Sequence, residues 1–309
     1  MKRFRNNRLG EFIHWGLYAI PGGEWKGKVY NGAAEWLKSW AKVPAADWLE
    51  LMKQWNPVKF DARQWARMAK EMGVKYVKIT TKHHEGFCLW PSQYSQYTVA
   101  QTPYRKDILG ELVKAYNDEG IDVHFYFSVM DWSHPDYRYE ITSKEDSIAF
   151  SRFLTFTDHQ LKELATRYPT VKDFWFDGTW DASIKKNGWW TAHAEQMLKD
   201  LLPGVTINSR LRADDYGKRH FDSNGHLMGD YESGYERRLR RKKNLCLRRQ
   251  KKYAARQGHR REIQIFVFCG RHFAEATQRL AAVQNLRRRE LKLLTIHENS
   301  ANILCIKDF

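Results

Sequence analysis

Four times between Asp61 and Asn208 the chain runs the same local program: a helix-period apolar face, a stop, and a short apolar strand. Asp61 can cap a helix whose face is Trp65, Met68, Ala69 and Met72; Gly73 ends it, and Val74 to Thr81 reads as a strand. Ile108, Leu109, Leu112, Val113 and Tyr116 form the next face, Gly120 stops it, and Val123 to Ser128 follows. A third helix from about Ser147 to Arg167 meets Pro169 before the Phe174–Phe176 strand. A fourth, near Trp190 to Leu202, meets Pro203-Gly204 and leads into Val205–Asn208. Alternating helices and strands require parallel pairing with right-handed crossovers. With Glu11–Trp15 before these units and Leu227–Tyr231 after them, six strands are recognisable. The expected fold is an α/β (β/α)8 barrel, incomplete at six strands.

A barrel rather than an open sheet is favoured by where the chemistry falls. The strand ends carry His14-Trp15-Gly16, Lys82-His83-His84-Glu85, Ser128 with Asp131-Trp132, Asp177, Asn208-Ser209-Arg210, and Asp230-Tyr231-Glu232 through Glu236. Barrels collect their sites at the carboxyl ends of several strands. The Phe174-Trp175-Phe176-Asp177-Gly178 stretch is the sharpest of these: an apolar strand that ends in one carboxylate. Imidazoles and Arg210 can hydrogen-bond sugar hydroxyls, indoles can cover a sugar's apolar face, and two carboxyl groups can cleave a glycosidic bond. Each signal has a plainer structural reading. Asp177 could cap the next helix, strand-end histidines often bond locally, and tryptophans serve cores. Adjacent His83-His84 could suggest a metal, but strand neighbours point to opposite sides and no H-x-x-x-H spacing accompanies them. Neither a metal site nor a cofactor is expected.

Composition divides the chain. Its net charge is +16, yet residues 239–309 hold 18 of the 52 Lys and Arg and 5 of the 36 Asp and Glu. All 13 Trp and all 8 Pro lie before residue 239. Residues 1–238 therefore read as an aromatic-rich catalytic domain and residues 239–309 as a basic tail of a different kind. The four cysteines are scattered without a C-x-x-C pair, which gives no disulfide framework or zinc ribbon. The basic start Met1-Lys2-Arg3 has no apolar h-region, and no run of about 18 apolar residues occurs, so neither a signal peptide nor a membrane span is expected.

The ordered motifs resemble glycoside hydrolase family 29, the α-L-fucosidases. The residues that carry the likeness are Phe12 to Tyr18 with Gly23-Glu24-Trp25, Glu35-Trp36, Lys82 to Phe87, Asp131-Trp132 with His134 to Tyr137, Phe176-Asp177-Gly178, and Gly229 to Glu232. They span about residues 8–238. The resemblance implies a retaining exo-fucosidase that removes terminal α-L-fucose from a fucosylated glycan or small fucoside by double displacement. It makes Asp177 the nucleophile and Glu236 the acid/base, with Glu232 the alternative. It assigns His14, Glu35, Trp36, His83, His84, Tyr126, Trp175 and Arg210 to the sugar pocket. Members of the family are commonly exported: periplasmic, secreted or lysosomal.

The likeness stops near Arg238. A Trp-rich acceptor-side loop, a Gly-Asn strand and the C-terminal β-sandwich of the family are not recognisable beyond it, and residues 239–309 read as a frameshifted translation. A barrel short of two strands leaves open edges and a pocket without one wall, which counts against activity even where ancestry is clear. The competing readings are an inactive fucose-binding barrel and a basic protein that binds nucleic acid through residues 239–309. The tail shows no nucleic-acid motif, so that partner is not expected. Within it, Ile263–Cys269 and Ile303–Ile306 read as strands and Phe273–Leu291 as a basic helix.

Overall fold

A computed structural model describes residue 7 and residues 9–212, 228–231, 263–268 and 305–307. The strands are β1 (Leu9–His14), a small hairpin of β2 (Glu24–Trp25) and β3 (Lys28–Val29), β4 (Tyr76–Lys82), β5 (Asp122–Ser128), β6 (Asp173–Asp177), β7 (Thr206–Ile207), β8 (Ile263–Phe268) and β9 (Cys305–Lys307). The helices are α1 (Leu37–Trp40), α2 (Ala45–Leu49), α3 (Ala62–Met72), α4 (Ile108–Asp118), α5 (Lys144–Arg167), α6 (Ala182–Lys186) and α7 (Gly188–Leu201).

The main sheet has seven strands in the order β7-β6-β5-β4-β1-β8-β9. It is parallel from β7 through β8, and β9 runs antiparallel to β8. This is the α/β parallel sheet that the helix–strand alternation predicts. Among the described residues it is open, with β7 and β9 at its edges, so the closed eight-stranded form is not seen in them. The Ile263–Cys269 expectation corresponds to β8, which pairs with β1 from Leu9↔Ile263 to His14↔Phe268. The last expected strand is found displaced to Cys305–Lys307. The helix read at Phe273–Leu291 and the boundary at residue 238 lie outside the described residues. Of the sixth expected strand, the described part is a single bridge, Asn208↔Tyr231.

The helix ends follow from sequence. Asp61 accepts from the Gln64 amide and Gly73 closes α3 at φ 84°. Asp107 accepts from Gly110 at the start of α4. The start of α5 lies earlier than its apolar period suggests, because Ser143 caps it by accepting from the Asp146 amide.

Strand alternation separates two faces. Ile13, Val77, Ile79, Val123, Phe125, Phe174, Phe176 and Ile207 join the helices in one buried core. The opposite face carries a small cluster of Phe12, Tyr126 and Trp175. Beside it lie the buried polar residues His14, Lys78, Thr80, His124, Asp173 and Asp177. Their charges are partnered: Asp173 accepts from Thr206 Oγ1 at 2.6 Å and Tyr231 Oη at 2.9 Å, and Lys78 Nζ lies 3.8 Å away.

A second buried ion pair ties the end of β4 to the loop after β5. Lys82 Nζ lies 3.0 Å from Asp131 Oδ2, with both side chains almost fully buried. Asp131 Oδ1 accepts from the amides of Ser133 and His134. Burial pushes the Asp131 carboxyl up, but Lys82 and the Ser133 amide outweigh it and the net direction is down. The pair's contribution is therefore present above the ordinary carboxylate range and lost as pH falls through the depressed value. Lys82→Met is expected to destabilise the fold by about 3 kcal/mol in urea titration at pH 7, since it leaves a buried carboxylate unpaired, and Lys82→Met with Asp131→Asn should recover much of that loss.

Candidate active site

Every pocket position named from the sequence as far as Arg210 falls at one end of the parallel sheet. The β5–β6 register pairs Tyr126 with Trp175 and Ser128 with Asp177. Asp177 therefore stands as the last residue of its strand, 7% exposed. Tyr126 Oη donates to its Oδ2 at 2.8 Å, and Arg210 Nη2 lies 3.1 Å from Oδ1. The Tyr126 phenol is pushed well above its ordinary value by burial and then by Asp177. It stays a hydrogen-bond donor. Arg210 comes from the short 3-10 turn Ser209–Leu211 after β7. Its guanidinium lies 5.1 Å from the Trp175 ring and 5.8 Å from Trp180.

Gly178 follows at φ 71°, and a Cβ there would come within 2.6 Å of the Met130 Cβ and 2.9 Å of the Met130 amide nitrogen. The left-handed turn and the close approach both require glycine. Asn208 fastens β6 from the other side: its Oδ1 accepts from Phe176 N, and its Nδ2 donates to Phe176 O.

The three histidines meet across the strand ends. His83 and His84 have ring centroids 4.2 Å apart, and His14 lies 5.6 Å from His83. Both neighbours enter one cluster because they follow the end of β4, after a register shift between Thr80 and Lys82. Strand alternation does not govern them there, which corrects the opposite-sides expectation. His83 stacks on Tyr126 at 5.2 Å with 4° between planes. Burial is the leading cause of each depressed imidazole: His14 falls to about 3, His84 to about 4, and His83 well below its ordinary value. All three are neutral at working pH.

Glu35, in the 3-10 turn Ala34–Trp36, is 7% exposed and pushed up to about 7 by burial, with the Asp177 charge adding to the rise. Trp36 packs its ring 5.0 Å from His84, 5.3 Å from Trp132 and 6.2 Å from Trp180, in near-parallel planes with the last. These indoles wall one side of the cluster. Trp180 carries no signal in the sequence beyond an indole two places after Gly178. Ser128 carries none beyond its place at a strand end.

The arrangement brings together His14, Glu35, Trp36, His83, His84, Tyr126, Trp175, Asp177 and Arg210. Glu232 and Glu236 lie outside the described residues, and so does the distance from either to Asp177. Ligand atoms of His14, Glu35 and His83 lie within 4.8 Å of one another, as do those of His83, His84 and Asp177. Either triad has donors suited to a transition-metal ion, a possibility that the adjacent His83-His84 raises and the lack of a ligand spacing counts against.

The sheet end thus gathers the buried carboxyls of Asp177 and Glu35, neutral imidazoles and an indole wall, and comparison with known proteins identifies the chain's family. The α-L-fucosidase family model matches residues 1–248, so the chain belongs to the α-L-fucosidase family. An α-L-fucosidase of Bacteroides thetaiotaomicron is 87% identical where the two align, covering 77% of this chain and 54% of that one, with a TM-score of 0.74. Another structure of an enzyme from that organism is a trapped covalent intermediate in complex with 2-fluoro-fucosyl fluoride, in a glutamate-to-glutamine mutant. It is 86% identical with a TM-score of 0.73, covering 77% of this chain and 55% of that one. The α-L-fucosidase of Branchiostoma floridae is 33% identical over 187 residues, 57% of this chain and 40% of that protein. The chain spans about half the length, or less, of these relatives.

Glu35 supplies a prediction with a definite sign. Its folded value of about 7 stands above the ordinary 4.5, so its stabilising contribution is full below about pH 4.5 and lost as pH rises through about 7. Glu35→Gln is expected to leave the urea midpoint nearly unchanged at pH 4.5 and to raise it at pH 8.

Proposed function

We propose that this chain carries the sugar-binding and nucleophile-bearing part of a retaining α-L-fucosidase, acting on terminal α-L-fucose of a glycan or small fucoside. The observation that carries the reading is the placement of Asp177: a strand-end carboxylate with one oxygen held by Tyr126 and the other by Arg210, beside neutral imidazoles. The covalent intermediate trapped in the Bacteroides thetaiotaomicron relative supports the same chemistry. We further read the parallel sheet as the greater part of a (β/α)8-type barrel.

In the first step an Asp177 oxygen attacks the anomeric carbon as the bond to the leaving oxygen breaks. That oxygen takes a proton from the acid/base, for which Glu236 is the first choice and Glu232 the alternative. In the second step water attacks the same carbon, gives its proton to the acid/base and releases Asp177, with net retention. Tyr126 and Arg210 orient the nucleophile and offset the cost of burying its charge. The imidazoles, Glu35 and the indoles hold the glycone.

The test is release of 4-nitrophenol from 4-nitrophenyl α-L-fucoside by the full chain. Asp177→Ala is expected to lower kcat at least about a thousandfold, and added azide should restore turnover with formation of the inverted fucosyl azide. Equal rates for the two proteins would remove Asp177 from the mechanism. Fucose binding in calorimetry without turnover would favour the inactive sugar-binding reading.

A further inference from the structure

The histidine beside the nucleophile is held in a way that determines which of its nitrogens carries the proton. His84 Nδ1 and Ser128 Oγ are 2.6 Å apart, both fully buried. Ser128 Oγ in turn donates to the Met130 carbonyl at 2.6 Å. A hydroxyl has one proton, and a carbonyl can only accept. With that proton committed to Met130, Ser128 Oγ can meet His84 only as acceptor, so the imidazole proton must lie on Nδ1. The other nitrogen, Nε2, is then a bare acceptor. It is buried, has no hydrogen-bond partner among the described residues, and lies 3.9 Å from Asp177 Oδ2.

The surroundings keep this relay in place. Ser128 is the last residue of β5 and pairs with Asp177 across the sheet. Gly178 fits tightly over it, since a Cβ at that position would lie 3.1 Å from Ser128 Oγ and within 3.0 Å of the Met130 Cβ and amide nitrogen. The residue that follows the nucleophile thus packs against the serine–carbonyl relay.

Resting on the fucosidase reading above, we propose that Ser128 is a positioning residue that fixes His84 as the Nδ1–H tautomer, so that Nε2 accepts a hydrogen bond from the sugar hydroxyl next to the carbon Asp177 attacks. An attacking oxygen sits about 3–3.5 Å from its carbon. The 2-hydroxyl is on the neighbouring carbon, and Nε2, 3.9 Å from Oδ2, is near enough to the attacking oxygen to reach it. A bond made there orients the sugar for attack, and bonds to the 2-hydroxyl strengthen in the transition state of such reactions. The other tautomer would place an N–H toward Oδ2, donating to the nucleophile instead of accepting from the sugar.

The test begins without substrate. In the full chain labelled with 15N in its imidazoles, long-range proton–nitrogen correlation distinguishes the two neutral tautomers, with His84 assigned through a His84→Gln variant. The expected wild-type pattern is Nδ1–H with unprotonated Nε2, changing to a mixture or to Nε2–H in Ser128→Ala. An Nε2–H pattern in the wild type overturns the proposal even if the variant does not fold, and so does an unchanged tautomer in a folded Ser128→Ala. The kinetic arm compares 4-nitrophenyl α-L-fucoside with its 2-deoxy analogue. Ser128→Ala should lower kcat/KM about tenfold on the first and leave the second within about twofold. Equal losses on both overturn the assignment to the 2-hydroxyl. A wild-type chain with no turnover would refute the fucosidase reading, while the imidazole spectrum would still decide the tautomer.

Discussion

The site depends on the register of β4, β5 and β6. Thr80 pairs with Tyr126 and Tyr126 with Trp175, while Ser128 pairs with Asp177. A slip of one residue would turn Tyr126 and Asp177 toward the helices and bring Phe125, Phe127 and Phe176 into the pocket. Side chains reinforce what the backbone ladder sets. Thr81 Oγ1 donates to the Tyr126 carbonyl, Thr80 Oγ1 bridges the amide and carbonyl of Trp15, and Asn208 bonds both backbone groups of Phe176. These contacts fasten the strands over their last few residues, next to the site.

The electrostatics of the pocket are arranged in tiers along the sheet face. Deep in it, Lys78, His124, Thr206 and Tyr231 gather around the Asp173 carboxylate. Above them the Trp175 and Tyr126 rings stack at 5.3 Å. Asp177 and Arg210 form the outermost layer. The aromatic layer separates two carboxylates on the same strand, each with its own cation. That separation lets the outer carboxylate face the pocket while the inner one serves the fold. Tyr231 connects the tiers to the segment that leads toward Glu232 and Glu236: its hydroxyl bonds Asp173, and its carbonyl accepts from the Ser209 amide.

Much of this was legible because it rests on local rules. Asp61 and Gly73 mark α3 by a cap and a left-handed stop, and the Phe174–Phe176 run marks a strand by its lack of polar residues. Asp177 was legible because a charged residue that ends such a run at the sheet's carboxyl edge stands where α/β folds collect their sites. What escaped depends on contacts distant in sequence. Ser143 as the cap of α5 was hidden because Lys144, Glu145 and Asp146 carry no apolar period. The convergence of His83 and His84 was hidden because the register shift after Thr80 ends the alternation on which the sequence argument relied. Trp180 needed the turn at Gly178 to swing its indole alongside Trp36. The triads with metal-type donors escaped because their members come from separate segments: only His83 and His84 are neighbours in sequence, and Asp177, His14 and Glu35 reach them from other strand ends and a turn.

The three imidazoles show why burial here serves chemistry and not only packing. Desolvation is the main penalty on an imidazolium in this pocket; a neighbouring histidine adds to it at His14 and His83 and Arg210 adds to it at His84, while the Asp177 charge opposes it at His14 and His84. Each ring is thereby held neutral, with one nitrogen able to accept. A neutral imidazole does not pair strongly with Asp177, so the carboxylate is not tied up by its histidine neighbours. Instead Tyr126, on the neighbouring strand β5, hydrogen-bonds it, and Arg210, in the 3-10 turn after β7, forms an ion pair with it. Glu35 is driven up by the same burial that drives the histidines down, with the Asp177 charge adding to its rise, so below about pH 7 it is a donor where the histidines are acceptors. A polyol can satisfy both kinds of group at once, because each hydroxyl donates once and accepts twice. An apolar ligand would leave His84 Nε2 and Glu35 Oε2 buried and unbonded, a cost of about 1–3 kcal/mol for each.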